Sequence, residues 1–155
     1  MKKHPTTAQR LEFEKLRAFV AVGFEDIVRS SAVPATHHPA AIADRLWAAA
    51  PSTALTGLRQ AAYDVVEMFQ DLAGDDLDAM EERFARAGAP SLSELRRHRI
   101  GDIFRVLSRA KIRDDDEWRL INAVVSDLAT GILDEAHRAL AQRLVHEYEA
   151  CRKPD

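Results

Sequence analysis

The spacing of the apolar residues constrains this chain more than any other feature. Nearly everywhere they recur at steps of three and four, and no stretch sustains two-residue alternation between turn signals. Steps of three and four keep side chains on one face of a helix, whereas a strand face takes every second residue. The prolines and glycines fall where such helices would start or stop. The expected fold is therefore all-α: a compact bundle of about seven helices with short connections and one-sided apolar stripes.

The spacing predicts helices over about 6–29, 39–50, 53–72, 75–87, 92–112, 115–130 and 134–151. Thr6 or Thr7 can cap the first, with Phe13, Leu16, Val20, Phe24 and Ile27 inward. The linker Ser30–Pro39 breaks the chain, because Pro34 and Pro39 lack an amide donor and restrict the residues before them. Ile42, Leu46 and Trp47 are the expected inward residues of the second helix. Leu55, Leu58, Ala62, Val65, Phe69 and Leu72 form the stripe of the third, and Leu77, Met80 and Phe84 that of the fourth.

Ser91 and Glu94 have capping-box spacing at the start of the fifth helix, whose inward row is Leu92, Leu95, Ile103, Leu107 and Ala110, with Ile100 and Phe104 beside it. Asp114 and Glu117 repeat the box at the sixth, with Trp118, Ile121, Val125 and Leu128 inward. The last helix turns Ala136, Leu140, Leu144 and Tyr148 inward and ends in a frayed tail. The 155 residues are one domain's worth, so a single helical domain over 1–155 is expected.

Composition narrows the functional classes. A net charge of −3 gives no global drive toward nucleic acid or an anionic membrane. No apolar run approaches the roughly 18–20 residues of a membrane span, and no apolar stretch follows the two leading lysines as in a secretory signal. The lone Cys151 has no partner for an internal disulfide. These features fit a cytoplasmic protein.

The densest basic charge runs from Arg96 through Arg97, His98, Arg99, Arg105, Arg109 and Lys111 to Arg113. A basic helix can track a phosphate backbone. On a helix, however, these residues scatter: Arg105 and Arg109 share an outer row with Asp102 beside them, while Arg96 and Arg99 fall among Leu92, Leu95 and Ile103. An inward guanidinium without partners is costly, so Arg96 or Arg99 is expected in a structural ion pair with a carboxylate of another helix or subunit. A helix-turn-helix reading of the corner fails on charge. Asp114, Asp115, Asp116 and Glu117 would stand at the end that should meet DNA. This corner, Arg109–Asn122, resembles corners in small helical bacterial proteins of unassigned role, and the resemblance implies no activity.

The acidic counterpart is cleaner. From Gln60 to Glu82 there are eight acids and no lysine or arginine. Gln60, Asp64, Glu67 and Asp71 form one row opposite the apolar stripe. Such a row is either a solvated outer face or a docking surface for a basic partner, since complementary charge speeds association and fixes register. Carboxylates on helices also hold divalent metal in some all-α nucleotide pyrophosphohydrolases, but those sites need carboxylates converging from several helices.

Other chemistry has little support. His37 and His38 are adjacent in the linker, and His137 and His146 lack the i, i+4 spacing of a helical metal pair. No nucleophile constellation or glycine-rich phosphate loop occurs, and Trp47 and Trp118 sit in helical stripes. No metal, cofactor or catalytic residue is therefore assigned.

The leading expectation is a non-enzymatic protein–protein interaction module, an adaptor, regulator or immunity-type inhibitor. It would use a charge-segregated surface with Asp64, Glu67, Asp71, Arg105 and Arg109 as partner-binding residues. A homodimer is a further option. The alternatives are nucleic-acid binding through the basic helix, and a metal-dependent nucleotide hydrolase using the carboxylates of the third helix.

Overall fold

The computed structural model describes residues 4–127 and 131–152. Among them the protein is all-α, with eight α-helices: α1 Thr7–Gly23, α2 Glu25–Ser30, α3 Pro39–Ala49, α4 Pro51–Met68, α5 Gly74–Arg86, α6 Leu92–Arg109, α7 Asp115–Ser126 and α8 Glu135–Arg152. A single 3-10 turn, Ala35–His37, lies in the proline linker. No described helix is long and apolar enough to cross a membrane. The chain divides into two units, Met1–Arg96 and Arg97–Asp155.

The termini of the first unit's helices follow from local chemistry. Thr6 caps α1: its hydroxyl accepts from the Gln9 amide, and the Gln9 side chain accepts from the Thr6 amide at 2.8 Å, a reciprocal pair that satisfies two otherwise orphan donors. Pro39 and Pro51 open α3 and α4, where a missing N–H costs nothing. The His38 imidazole adds a cap to α3, its Nδ1 accepting from the Ala40 amide at 3.0 Å. At the end of α5 the Ala89 amide reaches the Phe84 carbonyl and the Gly88 amide the Ala85 carbonyl. That pairing requires the left-handed conformation that Gly88 adopts at φ +70°.

In this unit α1, α3 and α4 pack on one another, and α1 also meets α5. Phe19 and Phe84 are fully buried and stacked, with ring centroids 4.4 Å apart. Phe13 stacks on Trp47 at 4.0 Å. Leu55, Leu58, Val65 and Leu92 complete the middle of this core. Arginine pairs brace the rim: Arg17 grips Asp44, Arg59 grips Glu12, and Arg83 reaches both Glu25 and Asp26. Their exposure limits each to about 0–1 kcal/mol.

Two expectations about this unit are corrected. The predicted helix over 6–29 is two helices, because the chain bends at Phe24 after Gly23. α2 buries none of its residues and Ile27 is exposed, while Phe19, absent from the expected row, is fully buried. On α3 the inward residues are Ala40 and Ala43, with Trp47 half-buried, whereas Ile42 and Leu46 are exposed. Alanines let α3 lie close against its neighbours, and a short helix rich in apolar residues offers more than one apolar face.

In the second unit α7 packs on α8, and the corner after α6 is tightly specified. Ala110 takes a left-handed φ of +51°, rare for a residue with a Cβ. Asp114 caps α7, accepting from the Glu117 amide at 2.9 Å. The Glu117 carboxylate turns back to accept from the Arg113 amide and the Arg109 guanidinium. Asp134 caps α8 through the His137 amide at 2.8 Å.

The buried faces of the last two helices are Leu120, Ile121 and Val124 on α7, and Ala141, Leu144 and Val145 on α8. These replace part of the expected rows. Trp118, Val125, Leu140 and Tyr148 are half-buried, and Ala136 is exposed. Trp118 and Tyr148 satisfy their polar tips by donating to Glu149 and Asp115. On α6, Ala110 lies beyond the helix and is exposed, Ile100 is exposed as well and Phe104 half-buried, and Val106 is buried in addition to Ile103 and Leu107. Leu128 and the tail over 153–155 lie outside the described residues.

Candidate protein-docking surface

The acidic row is built by the register of α4. Its apolar stripe, Leu55, Leu58, Ala62 and Val65, faces the core, so the positions half a turn away must meet solvent. Asp64, Glu67 and Asp71 are all exposed, as are Asp75, Asp76 and Asp78 beyond them. Within the row the Gln60 amide donates to Asp64 Oδ1 at 3.1 Å. Met68 lies among these carboxylates at 42% exposure. Its presence there was not anticipated from the apolar stripe, which it does not join.

Two acids of the same stretch have other tasks. Glu81 holds the start of α6, its carboxylate accepting from the Leu92 amide at 2.8 Å, the Ser93 amide at 2.9 Å and the Ser93 hydroxyl at 2.7 Å. Partial burial pushes its carboxyl up. The Ser93 hydroxyl, the two amides and the Arg96 charge together outweigh burial and hold it below the usual carboxylate range. Ser91 adds the hydroxyl cap expected of it, accepting from the Glu94 amide at 3.0 Å. Glu82 lies beside Arg86 at 4.0 Å on the surface.

The basic residues are dispersed by the fold. Arg105 is exposed and pairs with Asp102 at 2.8 Å. Arg109 is turned toward its own corner, with its side chain only 23% exposed. Its Nε and Nη2 both donate to the Lys111 carbonyl, and Nη2 also donates to Glu117. Of the two basic residues expected to meet a partner, Arg109 is thus a strut of the α6–α7 corner. Arg105 alone of the two stands out from the surface.

Arg96 is half-buried, as its position among Leu92 and Leu95 requires. Its Nη2 donates to the carbonyl oxygens of Phe69, Gln70 and Leu72, the last at 3.1 Å. These carbonyls belong to the turn just beyond Met68, where the negative end of the α4 dipole also favours a guanidinium. The Arg96 charge also acts on the Glu81 carboxylate. Arg99 is buried at 8% exposure.

Among the described residues no group of three or more histidine, cysteine, aspartate or glutamate side chains is arranged to hold a metal ion. Asp64, Glu67 and Asp71 are exposed and belong to no such group. His137 is engaged with Asp134, its Nδ1 2.7 Å from Oδ1, and its ring meets Phe104 edge-on at 5.3 Å. The hydrogen bond from the His137 amide, followed by that of its ring, holds the Asp134 carboxyl below its ordinary value. Cys151 is exposed.

Comparison with protein-family models, with curated proteins and with solved structures gives no match.

Proposed function

We propose that this chain is a non-enzymatic protein–protein interaction module, an adaptor, regulator or inhibitor, that engages a basic partner through the outer face of α4 and the turn that follows. One observation carries the reading: exposed Asp64 and Asp71 flank exposed Met68 in a stretch from Gln60 to Glu82 that contains no lysine or arginine. Elsewhere in the same unit Glu12, Glu25, Asp26 and Asp44 are taken up by arginines. Carboxylates around an accessible thioether suit a surface whose rim is electrostatic and whose centre is apolar.

The test compares the wild-type chain with Asp64→Asn/Asp71→Asn and with Met68→Ala as affinity baits, after circular dichroism confirms that each is folded. A partner recovered by the wild type should be rich in lysine and arginine and should dissociate steeply as salt rises. The double variant should recover less than about a tenth as much, a loss equivalent to about 1.4 kcal/mol. Equal recovery by the double variant at low salt overturns the assignment of this face.

A further inference from the structure

We draw no further inference here: the strongest candidate, the exposed apolar ridge of Ile42 and Leu46 on α3, carries nothing because nothing in the structure shows what covers it.

Discussion

Gly23 on α1 and Val65 on α4 approach so closely that a Cβ built on the glycine would lie 2.5 Å from Val65 Cγ1. The absence of a side chain at the end of α1 is what lets a fully buried β-branched valine sit against it. Valine is stiff about its first torsion and cannot swing its methyls away without meeting other core atoms.

Gly23→Ala should therefore destabilise the protein by about 1–3 kcal/mol, the range for overpacking a well-filled core. Gly57, on the exposed side of α4, has nothing within 4 Å of an added Cβ. Gly57→Ala should stabilise by about 0.5–1 kcal/mol, because glycine surrenders more backbone freedom on folding. Urea denaturation midpoints check both. A Gly23→Ala midpoint at or above the wild-type value refutes the close packing.

The second prediction concerns acid. Glu81 carries a lowered carboxyl pKa in the folded state, so folding favours its ionised form. Its contribution is complete above the pKa of the unfolded chain, about 4.3, and is lost as pH falls through the lower folded value. Glu81→Gln should cost about 1 kcal/mol at pH 7, the size of a lost helix cap, and the gap between variant and wild type should narrow as pH falls below about 4. Unfolding titrations at pH 7 and pH 3 read this directly. A gap that widens in acid reverses the assigned sign.

Arg109 and Glu117 supply the third. Both side chains are mostly covered, at 23% and 22% exposure, and each also bonds backbone of the α6–α7 corner. A double-mutant cycle of Arg109→Ala and Glu117→Ala should give a coupling of about 1–3 kcal/mol, above the range of exposed pairs. Arg109→Lys should recover less than half of it, since Nε and Nη2 on the Lys111 carbonyl fix the guanidinium plane that aims Nη2 at Glu117, and a flexible ammonium lacks that plane. Additive single-variant effects would place Arg109 in solvent.

The helical nature of the chain is legible because apolar spacing reflects a physical period, and α4 shows how far that carries. Its stripe marks the buried face and the exposed Asp64 and Glu67, but the helix ends at Met68 rather than at Leu72, and Asp71 is exposed in the turn beyond it. Periodicity fails on α3, where alanine, isoleucine, leucine and tryptophan surround the axis and close packing selects the small residues. It fails for Arg109 for a different reason. Helical phase puts the residue on an outer row, but α6 ends there and the left-handed Ala110 brings Glu117 back to it. Glu81 carries no local signal at all, because its partners lie 11 and 12 residues further on. The acidic face is thus readable from one helix alone, while the residues that brace the helix ends become visible only when the chain has returned to them.

The grip of Arg96 on Phe69, Gln70 and Leu72 reaches back over 24 to 27 residues, and the whole of α5 lies within that span. Glu81, inside the span, ties the middle of α5 to the first turn of α6. The segment is a closed ring of chain fastened by one guanidinium and crossed by one carboxylate. Opening it requires both fastenings to yield, so the amides of α5 and those of Leu92 and Ser93 should exchange with solvent deuterium as one cooperative group. With Arg96→Ala, that group should exchange faster while the amides of α1 keep their protection.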